Sequence, residues 1–264
     1  MFAEERQRRI ADLVSDTGRV NVTDLAHDFQ ITTETVRRDL AALERAGALQ
    51  RVHGGAVAPR SHSLEEPAFD DREVHNLGQK TAIAHAALGL LRETMSISLD
   101  GGTTCAALSL AIAQESQERR SSEVPPRELR VVTNSLSVID NLANVPGVEI
   151  FVLPGRFRPI TRAVVGPQTI ASIGEHHVDL ALVGTNGLSP DGFSTPDHDE
   201  AATKSAFVQA GREVAVLADS AKFGAVSLVR FAPVDRVDYL ITDAQPRPPL
   251  SDHLQNAKVE VITS

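Results

Sequence analysis

Five short polar clusters hold most of the side chains in this chain that could do chemistry, and each follows an apolar run. Leu99-Asp-Gly-Gly-Thr-Thr104 offers a carboxylate, two glycines that let the backbone approach a ligand closely, and threonine amides and hydroxyls at a helix start. That setting suits a phosphate. Thr133-Asn-Ser135 repeats the pattern, and Pro154-Gly-Arg-Phe-Arg158 adds two guanidinium groups. Gly184-Thr-Asn-Gly187 is followed by Thr195-Pro-Asp-His-Asp-Glu200 and Lys204, and Ala218-Asp-Ser-Ala-Lys222 completes the series. Carboxylates bind sugar hydroxyls and Lys or Arg binds phosphate, so these groups on one rim suit a phosphorylated polyol. Singly each cluster is weak: a Gly-Gly-Thr-Thr segment is most often only a turn, and Asp219 reads equally as a helix cap. Five in succession favour a ligand site, with Asp100, Gly102, Thr103, Thr104, Thr133, Asn134, Arg156, Glu200, Lys204 and Lys222 as candidate effector-binding residues.

Strands must present these clusters. Apolar runs predict strands at 96–99, 129–133, 148–153, 178–183, 213–218 and 239–242. Helices are expected between them, at 76–92, 104–113, 135–143, 166–174 and 200–211. Continuous apolar strands alternating with helices imply an α/β domain with a mainly parallel sheet covered on both faces. In such sheets ligands sit at the carboxyl ends of the strands. Residues 114–128, rich in Ser, Arg and Glu and containing Pro125-Pro126, read as a mobile surface insertion. Residues 58–75, polar and proline-interrupted, read as a linker. The expected organisation is therefore a domain at 1–57, the linker at 58–75 and the α/β domain at 76–264.

The first of these domains carries a different chemistry. Residues 21–40 read as a short helix, a tight turn and a second helix that opens on threonines and holds the pair Arg37-Arg38. Val36, Leu40 and Leu43 form one apolar stripe, which packs on Leu25, Ala26 and Phe29; Glu34, Arg38, Ala41 and Arg45 lie opposite. Thr32 or Thr33 caps the helix start, and Gly47 suits its stop. A packing helix at 4–14 precedes this pair, and residues 48–56 read as a strand and turn, the wing of a winged helix. A helix of this design lies in the major groove of DNA. Thr33, Thr35, Arg37, Arg38, Arg51 and His53 are the candidate DNA-binding residues, Arg38 and Thr35 for base edges and Arg37, Arg51 and His53 mainly for phosphates. The blander reading is a solvated amphipathic helix; the complete order of helix, strand, helix, turn, helix and wing argues against it.

The net charge of −9 argues against a nonspecific nucleic-acid coat. Residues 1–60 contain nine arginines and nine acids, so the whole excess lies after residue 60. A neutral head still binds DNA if its basic groups share one face, because phosphate attraction falls off within about 10 Å at ordinary salt. An acidic body keeps the rest of the protein off the duplex. The single cysteine, Cys105, excludes an internal disulfide, and no apolar run is long enough to span a membrane or direct secretion; a cytoplasmic protein is expected. No cofactor is expected. Asp197-His-Asp-Glu200 with His176-His177 offers metal-ligand types without diagnostic spacing, so no metal is expected, and Cys105 reads as a buried thiol.

Taken together these motifs resemble the DeoR family of bacterial repressors. The matching residues are Gly18-Arg-Val-Asn-Val22, Leu25-Ala26, Phe29, Thr35-Val-Arg-Arg-Asp-Leu40, Leu43, Gly47, Arg51 and His53-Gly-Gly-Ala56. In the second half they are Asp100 to Thr104, Val132-Thr-Asn-Ser135, Val183-Gly184, Gly192 with Thr195, Glu200 with Lys204, Leu217-Ala-Asp-Ser-Ala-Lys-Phe-Gly224 and Leu240-Ile-Thr-Asp243. The resemblance implies a winged helix-turn-helix joined to a sensor domain similar to ribose-5-phosphate isomerase. That sensor would bind a phosphorylated sugar or sugar alcohol without turning it over, with Asp100, Thr103, Thr104, Asn134, Glu200 and Lys222 lining the pocket. A homodimer or homotetramer on a two-part double-stranded DNA operator, released by the effector, is the implied mechanism. The chain departs from the family at Gly101 and Ala221, each in place of a serine, at Leu153-Pro-Gly155 in place of Leu-Gly-Gly, and at the longer 114–128 segment. The rival reading is a sugar-phosphate isomerase-like enzyme carrying an N-terminal interaction domain, with Glu200 as general base and Lys204 or Lys222 steadying an enediolate.

Overall fold

A computed structural model describes residues 3–45, 49–52, 54–57, 66 and 68–264, and the chain divides into two compact units, Met1–His62 and Ser63–Ser264. The N-terminal unit runs α1 (Ala3–Thr17), β1 (Arg19–Asn21), α2 (Val22–Asp28), α3 (Thr33–Arg45), β2 (Gln50–Val52) and β3 (Gly55–Val57). Its strands form a small antiparallel sheet in the order β1-β3-β2. The apolar stripe of α3 is buried as its spacing predicts: Val36, Leu40 and Leu43 join Ile10, Val14, Val22, Leu25, Leu49 and Ala56 in one core. Asn21 caps α2 by accepting a bond from the Thr23 amide at 2.8 Å, and Thr32 caps α3 by accepting from the Thr35 amide at 3.2 Å. Gly47, expected at the end of α3, lies outside the described residues.

One charged residue of α3 points inward. Asp39 is buried and takes the Arg6 guanidinium of α1 on Oδ2 at 2.6 Å and the Gln7 amide on Oδ1 at 2.9 Å. This polar tie locks α3 to α1 where a leucine would leave its rotation less defined.

The C-terminal unit begins with α4 (Phe69–Val74) and α5 (Leu77–Leu88). Part of the stretch expected as a linker is thus helical, because Phe69 is an apolar anchor that is fully buried. Then follow β4 (Thr94–Leu99), α6 (Thr103–Ser121), β5 (Glu128–Thr133), α7 (Leu136–Leu142), β6 (Val148–Val152), the hairpin β7 (Arg156–Arg158) and β8 (Ala163–Val165), α8 (Pro167–Ile173) and β9 (Val178–Gly184). After β9 come β10 (Gly187–Ser189), β11 (Gly192–Thr195), α9 (His198–Ala210), β12 (Gly211–Leu217), β13 (Val229–Ala232), β14 (Tyr239–Thr242), α10 (Leu250–Asn256) and β15 (Glu260–Thr263). Seven strands form one sheet in the order β15-β14-β12-β9-β4-β5-β6, and every pairing in it is parallel. Separate apolar cores cover its two faces. The order reverses between β4 and β9: the chain steps from β4 toward β5 and β6, and from β9 toward β12. At such a reversal the connections leave in opposite directions and open a crevice at the strand ends. A smaller antiparallel sheet, β10-β11-β13, accompanies it.

The insertion expected at 114–128 is not a loose loop, since α6 continues through it to Ser121. Its apolar stripe runs out at Ile112, so periodicity hides the extension, and ion pairs replace the core. Arg119 grips Glu93 through two bonds of 2.5 and 2.8 Å, and Arg127 grips Glu115 through two of 2.9 Å. Arg127 also donates to the Leu91 carbonyl at 2.6 Å, fastening the segment to the approach to β4. The β7–β8 hairpin, the β10-β11-β13 sheet, α10 and β15 have no counterpart among the expected elements.

The hairpin explains one departure from the family pattern. A Cβ on Gly101 would lie 2.6 Å from the Ala163 Cβ of β8, so a serine there requires the hairpin to move. Gly101→Ser is expected to lower stability by about 1–3 kcal/mol through overpacking, and Ala163→Gly in the same chain to recover part of it, both read from denaturant melts. Asp39→Ala strips Arg6 of its carboxylate and is expected to cost about 1–3 kcal/mol. A double-mutant cycle with Arg6→Met checks this, with a coupling near zero ruling out the tie.

Candidate functional site

In the N-terminal unit α3 presents Thr33, Glu34, Arg37 and Arg38 to solvent. Arg37 makes only a loose, exposed pair with Glu34 at 3.6 Å, which in water contributes little. Thr35 is half-buried and its hydroxyl meets that of Thr32 at 2.9 Å, so it serves the helix start as well as the outer face. Arg51 is exposed on β2, with its amide donating to Glu44 at 3.0 Å, and its guanidinium only 4.0 Å from the same carboxylate. His53 lies outside the described residues. Thr33, Arg37 and Arg38 are therefore all accessible on α3, and the N-terminal end of a helix is the end that suits a phosphate.

The second cluster sits where the strand order of the large sheet reverses. Asp100 follows β4 and is buried; its amide donates to the Leu182 carbonyl of β9 at 3.1 Å. Its Oδ2 accepts from the Gly184 amide at 3.3 Å and from the Lys204 ammonium of α9. Lys204 also donates to the Gly184 carbonyl at 3.1 Å. Burial pulls the Lys204 ammonium down, but Asp100 and Glu200 outweigh it and hold it above its ordinary value. Burial likewise pushes the Asp100 carboxyl up, against the pull of Lys204. One turn before Lys204, Glu200 accepts from Arg158 of β7 at 3.2 Å and from the Thr195 hydroxyl at 3.4 Å. Arg158 further contacts Asp197 at 3.4 Å and Glu66 at 2.6 Å.

Thr103 and Thr104 are buried in the first turn of α6, and Gly102 caps that helix with φ +123°, a conformation that favours glycine. Asn134 donates to the Val164 carbonyl at 2.9 Å, while its Oδ1, buried beside Gly101, accepts no hydrogen bond from any of the described residues. A buried acceptor without a protein donor suits a ligand hydroxyl or water.

Two candidates stand apart. The Thr133 hydroxyl donates to the Leu99 carbonyl at 2.6 Å and accepts from the Ser135 amide at 3.1 Å, so it is consumed in joining β5 to β4. Arg156 is exposed and pairs with Asp199 at 2.5 Å, whereas its neighbour Arg158 reaches Glu200. The two arginines sit two positions apart on the short β7, yet Arg156 is exposed and Arg158 half-buried. Lys222 closes a short 3-10 turn after β12 and lies within electrostatic range of Lys80. Lys80 is itself buried, donating to the Arg72 carbonyl and, at 2.6 Å, to that of His75. Its ammonium is held below its ordinary value by burial, which Asp219 opposes and Lys222 and Arg72 reinforce.

Asp197 caps α9 by accepting from the Glu200 amide at 3.0 Å, Asp199 pairs with Arg156, and His176 bonds the Ser172 carbonyl at 2.7 Å. Among the described residues no group of three or more His, Cys, Asp or Glu converges as metal ligands. Cys105 is buried and its thiol is pushed up to about 12, by burial and then by Asp100. Sequence reasoning missed Glu66 and Arg72 as parts of this cluster; Glu66 lies in the polar stretch taken for linker. Among the described residues no helix is long and apolar enough to cross a membrane.

Comparison with known proteins places both clusters in context. Residues 6–62 match the model of the DeoR-like helix-turn-helix domain and residues 75–244 that of the DeoR C-terminal sensor domain. The chain is 33% identical to the HTH-type transcriptional regulator GlpR of Haloferax volcanii, over 99% of this chain and 98% of that one. It is 28% identical to the HTH-type transcriptional repressor GlcR of Bacillus subtilis, over 100% and 97%, and 30% identical to the glycerol-3-phosphate regulon repressor of Escherichia coli, over 93% of each. Among solved structures, ribose 5-phosphate isomerase A of Methanocaldococcus jannaschii is similar at 17% identity, TM-score 0.38, over 56% of this chain and 55% of that one, too low a likeness to bear on function. With both family models matched in order, the chain belongs to the DeoR family of DNA-binding transcription regulators.

Proposed function

We propose that this protein represses genes of carbohydrate metabolism and is released from its operator by a phosphorylated sugar or sugar alcohol bound in the C-terminal unit. The observation that carries the reading is the buried cluster of Asp100, Glu200 and Lys204 at the reversal of strand order, beside the N-terminus of α6. Carboxylates there accept sugar hydroxyls, Asn134 offers an unused acceptor, and the amides of Thr103 and Thr104 with Lys222 suit the phosphate. The relatives support the same reading, one of them being named for glycerol 3-phosphate. In the rival isomerase reading Glu200 is the general base; here it is tied between Arg158 and Thr195, and Lys204 is committed to Asp100. A homodimer or homotetramer then sets two α3 helices about one DNA turn apart, ~34 Å, in a cytoplasmic protein.

Titration of the full chain against promoter fragments of carbohydrate operons, with and without a panel of sugar phosphates, tests the whole reading. Retardation of a fragment that a sugar phosphate relieves is the expected outcome, and turnover of the sugar would return the protein to the isomerase reading. Arg38→Ala is expected to cost about 1–3 kcal/mol of operator affinity and to relax specificity at one base pair; an equal loss on every sequence shows a phosphate contact instead. A bound sugar phosphate at about 100 times its Kd raises stability by roughly 2.7 kcal/mol, and Glu200→Gln is expected to abolish most of that thermal shift while leaving operator binding intact.

A further inference from the structure

Arg158 and Arg72 converge on one carboxylate from an unexpected source. Glu66 lies just beyond residues 58–65, the stretch that follows the end of β3, and is packed into the C-terminal unit with only 4% of its side chain exposed. Its Oε2 meets Arg158 at 2.6 Å and its Oε1 faces Arg72 at 3.5 Å. Arg72 in turn donates to the Ile160 carbonyl of the β7–β8 turn at 3.4 Å. Through Arg158 this group is continuous with Glu200, and through Glu200 with Thr195.

Glu66 is poorly accommodated there. Burial and the nearby Glu200 charge push its carboxyl up in spite of both arginines. Among the described residues its Oε1 accepts no hydrogen bond, and the buried Nε of Arg72 donates none. Arg158 keeps two other carboxylates, Glu200 and Asp197, if Glu66 departs. A guanidinium pair is the group best suited to bind an oxyanion through several donors at once. We propose that Arg158 and Arg72 form a subsite for a second oxyanion of the effector, carboxylate or phosphate, and that Glu66 fills it in this structure as an internal substitute. Displacing Glu66 then couples ligand binding to the chain that leads back to the N-terminal unit. This rests on the sugar-phosphate reading above, and it adds that the effector carries two acidic groups.

Calorimetry on the full chain and on Glu66→Gln, with Glu66→Ala as a second variant, tests it using three probes: 6-phosphogluconate, fructose 1,6-bisphosphate and glycerol 3-phosphate. Both variants are expected to bind at least one of the two diacids about tenfold or more tightly than the parent, with glycerol 3-phosphate changing less than about threefold. The diacid that gains more distinguishes a carboxylate from a phosphate occupant. Both variants are also expected to hold operator DNA more weakly than the parent when no sugar phosphate is present. Equal gains on all three probes, or no gain where the parent binds, overturn the subsite and leave the sugar-phosphate reading standing. Unchanged operator affinity overturns the coupling, and absence of binding by any protein to any probe removes the sugar-phosphate reading and the subsite together.

Discussion

The buried pair of Asp100 and Lys204 is the constraint on which the C-terminal unit is built. Removing two charges from water costs several kcal/mol for each ion, and their attraction offsets this only when the remaining donors and acceptors are also satisfied. Here the backbone of Gly184 does so, donating its amide to Asp100 and accepting from Lys204 with its carbonyl. Three elements are thereby fixed to one another: the end of β4, the end of β9 and the second turn of α9. The pair lies where the strand order reverses between β4 and β9, the place in such sheets where ligands bind.

Around that pair the charges alternate. Glu200 faces Arg158, and Arg158 faces Asp197 and Glu66. Such a lattice favours recognition of a polar, anionic molecule by exchange of partners, since each group has somewhere to go when a ligand intrudes. It disfavours proton transfer, because a general base must be released from its partners before it can act. A sensor requires the first property and has no use for the second, in keeping with relatives that are named as transcription regulators.

Much of this was legible in the sequence, for reasons that differ by residue. The strands of the parallel sheet are continuous apolar runs, so six of the seven stand out; β15, with Glu260 at its start and only half-buried apolar residues, does not. Asp100 and Glu200 are polar residues at a strand end and a helix start, and Lys204 lies one turn along the same helix as Glu200, so the three stand out as a charged set. Thr133 looks the same on paper, but a hydroxyl at a strand end serves a neighbouring carbonyl equally well. Nothing in the sequence separates Arg156 from Arg158: two positions apart on a three-residue strand, they fall on one side by alternation, and only the fold sets Arg158 against Glu200. Glu66 stayed hidden because a polar, proline-interrupted stretch carries no periodicity, and its partner Arg158 lies far along the chain. The extension of α6 was masked for a related reason: Arg119 and Arg127 hold it through ion pairs, which leave no apolar stripe.

The contact between Asp39 and α1 has a geometric consequence for reading a sequence of bases. Successive residues of an α-helix are spaced about 100° apart around its axis, given 3.6 residues per turn. Anchoring the side chain at position 39 therefore sets the azimuth of position 38, and the rod cannot roll to offer a different edge. Any adjustment to an imperfect site must then come from the reach of the arginine itself or from bending of the duplex. On the proposed role of Arg38 in addressing a base edge, a helix held in this way tolerates mismatches poorly at that base pair.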